Sequence, residues 1–145
     1  MRKLALVLWV CSLAVLGCSS QTLSTAVAPS VETLSAEDLK QWADASRDFV
    51  FLDVREASEI ENLGTLKNCK HIPLGELEAR LAEVPKGVPI VTACNRGVRA
   101  GRAAALLQKH GYTGVKSTGL AEYRARGYAL VYPQLNNRPR TATGN

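Results

Sequence analysis

Cys94 is the residue in this sequence best placed to act as a nucleophile. It follows the apolar run 88–93 and precedes a helix-like run, with Gly97 between them. Because glycine tolerates positive φ angles, this short loop can curl so that its N–H groups point at one spot beside a helix N-terminus. Such a cradle favours an ionised thiol and binds an anionic substrate. The residues predicted to bind the substrate are Asn95, Arg96, Gly97, Val98 and Arg99.

A structural role for the same residues is the alternative. Cysteine is often buried, so Cys94 taken alone could equally be a small side chain at the end of a strand. The arginines that follow at three-residue intervals could form a solvated helix face, and this is the interpretation adopted for Arg102.

Charge is distributed unevenly along the chain. Residues 31–93 carry seven Lys/Arg and twelve Asp/Glu, whereas residues 94–145 carry nine Lys/Arg and a single acid, Glu122. A basic half can indicate nucleic-acid binding, but here the basic residues are not interleaved with aromatics and the predicted export of the protein argues against it. A small anionic substrate is the better fit, and no cluster of metal-ligand residues is apparent in the sequence.

The first residues resemble an export signal. Arg2 and Lys3 precede 13 apolar or small residues at positions 4–16, which suits a signal peptide and is short for a membrane span. The run ends in the sequence VLGC, residues 15–18, which resembles a bacterial lipobox and predicts a signal peptide over residues 1–17 and a lipidated Cys18. The alternatives are an ordinary secretory signal or a signal anchor. The other predicted segments are a flexible tether over 18–30, a domain over 31–133 and a loose tail over 134–145.

The predicted export places the protein in the cell envelope. We expect it on a lipid-anchored membrane surface facing the periplasm, with a mild preference for the outer membrane, or soluble in the periplasm if the lipobox is not used. Cys69 and Cys94 would then be the remaining free thiols in an oxidising compartment.

Strand and helix signals alternate along the predicted domain, which indicates a parallel sheet with helices on both faces. In that architecture sites form beyond the carboxyl ends of the strands, where Asp53 and Cys94 both fall. Strands are predicted over 31–34, 49–54, 69–74, 88–93 and 115–117. Helices are predicted over 35–45, 56–62, 76–84, 98–110 and 121–126.

The segment CNRGVRAGRAAALLQKHGY, which begins at Cys94, resembles the active-site loop and following helix of the rhodanese superfamily. Three further segments resemble family elements in the same order: DVRE from Asp53, GTLKNCKHIPL from Gly64 and TGLAEY from Thr118. The likeness covers residues 31–133 and implies the rhodanese-like α/β fold, a central parallel sheet of about five strands with helices on both faces. The departures from the family pattern are Thr65, Cys69, Thr118 and Tyr123.

The resemblance implies an enzyme of the thiosulfate sulfurtransferase type that needs no cofactor. The Cys94 thiolate would take sulfur from a small anionic donor such as thiosulfate, hold it as a persulfide and pass it to cyanide or a thiol. Asp53 and Arg55 are expected to brace the loop, and His71 and His110 to be structural. A monomer is expected.

Three alternatives stay open from the sequence. The domain could be a non-catalytic sulfur carrier or binding module. It could be a phosphatase or arsenate reductase, although those relatives carry one residue more than the six from Cys94 to Arg99. Cys69 could resolve the persulfide by pairing with Cys94, or it could be a small buried residue, which is the favoured interpretation.

Overall fold

The computed structural model describes residues 30–45 and 47–135. The predicted signal peptide, Cys18, all but the last residue of the tether and the tail from residue 136 lie outside them. Within the described part, no helix is long and apolar enough to cross a membrane. The strands are β1 (Glu32–Thr33), β2 (Val50–Asp53), β3 (Lys70–His71), β4 (Ile90–Cys94) and β5 (Val115–Gly119). The helices are α1 (Ala36–Asp44), α2 (Ala57–Leu63), α3 (Leu74–Leu77), α4 (Val98–Lys109) and α5 (Leu120–Ala125), with a 3₁₀ turn at Leu81–Glu83.

The five strands form one parallel sheet in the order β1-β5-β4-β2-β3. β4 lies at its centre, and all five of its residues are buried. A strand buried on both faces needs a continuous apolar run, which is why the sequence pattern identified it. The predicted fold class is confirmed.

Helices cover the two faces of the sheet and divide the core into two clusters. One cluster joins alternate strand residues such as Leu52 and Ile90 to α3 and α4. The other joins Phe51 and Val91 to α1 and α5. Because successive strand side chains point to opposite faces, neighbours such as Phe51 and Leu52 enter different clusters.

The local signals at helix starts are also found in the structure. Ser35 caps α1: its hydroxyl accepts a hydrogen bond from the Asp38 amide at 3.1 Å, and the Asp38 carboxylate accepts one from the Ser35 amide. This is the reciprocal capping pattern predicted from the sequence.

The predicted helix over 76–84 is wrong as a single element. The chain forms α3 at Leu74–Leu77 and then the separate 3₁₀ turn at Leu81–Glu83. The helical spacing of apolar residues is satisfied by two short turns, since Leu77 and Val84 both reach the core. The outer strands β1 and β3 are also shorter than predicted, with two paired residues each. Both are edge strands and have a neighbouring strand on one side only.

Candidate active site

Cys94 is the last residue of β4 and its side chain is 2% exposed. Its Sγ accepts hydrogen bonds from the backbone N–H of Gly97 at 3.1 Å and of Ala100 at 3.4 Å. Both donors belong to the start of α4, whose N-terminus therefore faces the sulfur. Amide donors and the positive end of a helix stabilise negative charge at this position.

The sharp turn into α4 depends on Gly97. It is the N-cap residue of α4 and has φ +87°, in the left-handed region. A residue with a side chain is strained in that conformation. The turn lets only three residues, 95–97, connect β4 to α4, which brings the helix N-terminus back over the sulfur.

β5 and α5 support the same loop from the other side. Gly119 pairs with Cys94 across the sheet. A Cβ atom at Gly119 would lie 3.1 Å from the carbonyl carbon of Arg96 and 3.1 Å from the Gly97 nitrogen. Because these are backbone atoms, a side chain at Gly119 would displace the loop that carries the Gly97 N–H donor.

Asn95 is held in place by α5. Its carbonyl oxygen accepts a hydrogen bond from the Ala121 N–H at 2.9 Å. Its side-chain oxygen accepts one from Nη2 of Arg124 at 3.2 Å. The sequence analysis did not identify Arg124 or Ala121, because nothing in their local pattern indicates contact with a loop so far away in the chain; Arg124 lies 29 residues from Asn95.

The mouth of the site is a cavity of about 350 Å³ lined by Glu59, Cys94, Asn95, Arg96, Val98 and Arg99. Five of these six residues were predicted to form the site, and the sixth, Glu59, was not. Its carboxylate accepts two hydrogen bonds from Arg99, each at 2.6 Å. The Arg99 guanidinium lowers the pKa of the Glu59 carboxyl and, in turn, the same hydrogen bonds raise the pKa of Arg99.

The two predicted bracing residues lie below the mouth and are fully buried. Arg55 donates from Nε to Asp53 Oδ1 at 2.9 Å and from Nη2 to Asp53 Oδ2 at 2.7 Å. Arg55 Nη2 also donates to the carbonyl of Gly64, and the Thr65 hydroxyl donates to Asp53 Oδ2. Gly64 ends α2. The pair therefore holds α2, which carries Glu59, rather than touching the Cys94 loop directly.

Cys69 lies away from Cys94. It packs with Phe51 and Leu66 in the cluster on the opposite face of the sheet. It directly precedes β3, two strands from β4. Two strand spacings of about 4.8 Å already exceed the Cα separation of about 7 Å that a disulfide tolerates. In this fold the two thiols cannot pair without backbone movement.

The surroundings of Cys69 also differ chemically from those of Cys94. Burial raises the pKa of the Cys69 thiol above its usual value, and the Asp53 charge acts in the same direction. A hydrogen bond with Thr65 and the charge of Arg55 oppose this shift only in part. Cys69 is therefore held as a neutral thiol.

The two histidines are engaged elsewhere. Nε2 of His71 lies 2.8 Å from the carbonyl oxygen of Arg55, and Nε2 of His110 lies 3.5 Å from a carboxylate oxygen of Glu78. In the stretches 30–45 and 47–135, no group of three or more His, Cys, Asp or Glu residues is arranged to hold a metal ion.

Comparison with known proteins shows which family the chain belongs to. The model of the rhodanese-like domain matches residues 35–124, which include both bracing residues and the whole Cys94 loop. The chain belongs to the rhodanese-like domain family. Rhodanese-like proteins also appear among its structural neighbours: a rhodanese-related protein from Thermoplasma volcanium superposes with a TM-score of 0.63 at 25% identity, over 70% of this chain and 99% of that one.

Two relatives carry names that refer to sulfur. A sulfurtransferase from Allochromatium vinosum is 27% identical over 106 residues, which cover 72% of this chain and 98% of the relative. YrkF of Bacillus subtilis, whose name describes a sulfur carrier, is 36% identical over 85 residues. That match covers 59% of this chain and 45% of YrkF, so the chain spans less than half of that relative. Sulfur transfer in general is the activity that these relatives support.

The departures of this rhodanese-like domain from the family pattern have structural roles. Thr65 donates its hydroxyl to the buried Asp53, and the Thr118 hydroxyl donates to the carbonyl of Leu34 at 3.2 Å. Tyr123 is buried and packs edge-to-face on Tyr128, with ring centroids 5.0 Å apart. None of these three lines the cavity at Cys94.

Proposed function

We propose that this rhodanese-like domain is a sulfurtransferase that moves sulfane sulfur from a donor such as thiosulfate to a thiophilic acceptor, cyanide or a thiol. The observation that carries the proposal is the position of the Cys94 sulfur beneath the N–H groups of Gly97 and Ala100. Donors aimed at a sulfur atom stabilise it as a thiolate, and then stabilise the persulfide that forms on it.

The reaction takes place in two balanced steps. The Cys94 thiolate attacks the outer sulfur of thiosulfate, a new S–S bond forms, the S–S bond of the donor breaks, and sulfite leaves with the electron pair. Cyanide or a thiolate then attacks the outer sulfur of the persulfide, and Cys94 leaves as a thiolate. The covalent intermediate divides one difficult transfer into two easier ones. Because the thiol enters as a thiolate, no side-chain base is needed, which agrees with the structural positions of His71 and His110.

The size of the loop favours sulfur over phosphate or arsenate. A phosphoryl or arsenate group needs a wider ring of N–H donors than one sulfur atom. Here the loop spans six residues, from Cys94 to Arg99. The N–H groups of Gly97 within it and of Ala100 directly after it lie within hydrogen-bond distance of Sγ. A non-catalytic sulfur carrier is the second candidate, and the sulfur-carrier name of YrkF favours it.

One experiment separates these functions. The purified protein is incubated with thiosulfate, weighed by mass spectrometry and then treated with cyanide. An enzyme gains one sulfur, about 32 Da, on the peptide that contains Cys94 and releases thiocyanate over many turnovers. A carrier gains the mass but releases thiocyanate in a single slow round. The absence of any mass gain with several sulfur donors would overturn both and leave a binding module.

The proposal places the protein in the cell envelope, attached through lipid on Cys18 and facing the periplasm. The motif VLGC and the apolar run before it support this. Outer-membrane attachment is the preferred location, and a soluble periplasmic form follows if the lipobox is not used. We expect radiolabelled palmitate to enter the native protein and not a Cys18→Ala variant. Equal labelling of the two, or none in either, contradicts the anchor.

A further inference from the structure

The first residue of the Cys94 loop is held by two hydrogen bonds from α5. The Ala121 N–H donates to the Asn95 carbonyl at 2.9 Å, and Nη2 of Arg124 donates to the Asn95 side-chain oxygen at 3.2 Å. The first bond joins two backbone groups and does not depend on the side chain at position 121. The second exists only because an arginine stands at position 124 and an asparagine at position 95.

The Arg124 guanidinium has no carboxylate partner. In residues 30–45 and 47–135, the bond to Asn95 is the only hydrogen bond of its side chain, and Nη1 is buried with no partner. Arg126, two residues further along the chain, instead pairs with Glu122 and Glu37. A buried N–H group without a partner destabilises a fold, and an apolar side chain of similar shape is often as stable. Stability of the fold therefore does not explain the arginine at position 124.

The contact with Asn95 reaches the reacting sulfur through the chain itself. Asn95 lies between Cys94 and Gly97, whose N–H donates to the Cys94 sulfur at 3.1 Å. Asn95 also lines the cavity at the mouth, so water can replace Arg124 as its partner and the side chain can turn away. Without Arg124, the loop loses one of its two hydrogen bonds to α5. An N–H donor that moves by a fraction of an ångström stabilises the charge on the sulfur less well.

We propose that Arg124 is a positioning residue for the sulfur transfer: through Asn95 it fixes the loop whose N–H groups face the Cys94 sulfur, without adding to the stability of the fold. This inference rests on the function proposed above and names a residue on which the rate of that reaction depends. Arg124 does not line the cavity at Cys94, so it acts on the loop and not on the donor.

A single-turnover experiment with the full-length protein tests this role. The protein is mixed with thiosulfate at several concentrations, and the gain of one sulfur on Cys94 is followed by mass spectrometry. The concentration dependence gives the maximum rate of sulfur loading and the apparent Kd for thiosulfate. Arg124→Met removes the N–H donor and keeps a long side chain. It should lower the maximum rate about tenfold and leave the Kd within about twofold of the wild-type value.

Thermal unfolding of the same variant separates positioning from a structural role. Because Arg124→Met removes a buried N–H group that has no partner, its Tm should equal or exceed that of the wild type. A structural role predicts the reverse, a lower Tm with the loading rate falling alongside it. A Tm clearly below the wild-type value would therefore overturn the inference.

Arg126→Met is the matched control. It makes the same change near the end of α5, where the guanidinium pairs with Glu122 and Glu37 and makes no contact with the loop. It should leave the loading rate unchanged. Arg124→Lys keeps a positive charge and N–H donors and should load sulfur within about threefold of the wild-type rate. A lysine variant no faster than Arg124→Met would contradict the proposal, as would an equal loss of rate in Arg126→Met.

A double variant tests whether Arg124 acts through Asn95. Asn95→Ala breaks the same hydrogen bond from the loop side and should itself slow loading about tenfold, so it serves as the test if Arg124→Met fails to fold. In the Asn95→Ala background, Arg124→Met should change the rate by less than about twofold, because the bond that couples the two residues is already lost. A further loss of about tenfold would mean that Arg124 does not act through Asn95.

The two proposals fail in different ways. If the wild-type protein gains no sulfur from any donor, the sulfurtransferase function is wrong and the role of Arg124 is wrong with it. If the wild-type protein loads sulfur and Arg124→Met loads it at the same rate, sulfur transfer stands and Arg124 has no part in positioning the loop.

Discussion

Cys94 and Cys69 are both free cysteines in the same domain, yet the fold gives them opposite properties. Cys94 is the more deeply buried, but two backbone N–H groups and the N-terminus of α4 face its sulfur. Cys69 is only half-buried, and burial among apolar groups raises the pKa of its thiol. Depth of burial alone therefore does not distinguish the two thiols, whereas the orientation of the surrounding dipoles does, and the proposed function of Cys94 depends on that difference.

The difference follows from the direction of the strands. Cys94 closes β4 at its carboxyl end, where the next helix starts and presents free N–H groups. Cys69 stands before the amino end of β3, where no helix begins. In parallel α/β sheets helix N-termini collect at the carboxyl ends of the strands, and of these two cysteines only Cys94 stands at such an end.

The largest effect is expected from removing each thiol in turn. Cys94→Ser should reduce thiocyanate formation at least about 1,000-fold and abolish the gain of one sulfur, because the serine hydroxyl cannot form a persulfide. Cys69→Ser should leave both unchanged within about twofold, since Cys69 lies on the other face of the sheet. Steady-state thiocyanate assays and intact-mass measurements check this. A large loss of turnover in Cys69→Ser would mean that the second thiol takes part after all.

A smaller effect tests whether the positions of the N–H donors matter. Gly119→Ala places a Cβ 3.1 Å from the Gly97 nitrogen, tighter than ordinary van der Waals contact, so the loop must shift by a few tenths of an ångström. We expect kcat/KM to fall about tenfold, with the protein still folded.

Gly101→Ala is the matched control. It makes the same change within α4, where a Cβ meets nothing within 4 Å. It should leave kcat/KM unchanged and stabilise the protein by about 0.5–1 kcal/mol, because alanine is the better helix former. Thermal melts and donor kinetics measure both variants. Full activity in Gly119→Ala would show that the cradle tolerates displacement and that the dipoles are less important than the comparison of the two cysteines implies.

The sequence was most informative about the fold and the site where the pattern that predicts them lies within one strand or one loop. The apolar run of β4, the glycine at position 97 and the cysteine between them are local in the chain. The strand, the turn and the start of α4 could therefore be predicted, and the role of Cys94 as nucleophile stays a prediction. Glu59 could not, because its pairing with Arg99 joins residues 40 positions apart. That Asp53 and Arg55 brace the loop stays a prediction. Their contacts are with Gly64 and Thr65, directly after α2, and these contacts depend on how α2 packs.

The smallest expected effect concerns the pH at which Cys69 reacts. Because burial raises the pKa of the Cys69 thiol above its usual value, this thiol ionises at a higher pH than a free cysteine does. A folded-state pKa above the unfolded one means that this thiol contributes stability at lower pH, which is lost as the pH rises through the folded value. Iodoacetamide should therefore modify Cys69 more slowly than glutathione at neutral pH, and its rate should rise at a higher pH than that of glutathione, as followed by peptide mass mapping in the Cys94→Ser variant. If Cys69 were alkylated at pH 7 as fast as glutathione, the apolar side of the sheet would not be keeping its thiol neutral, and the contrast with Cys94 would have to rest on the N–H donors alone.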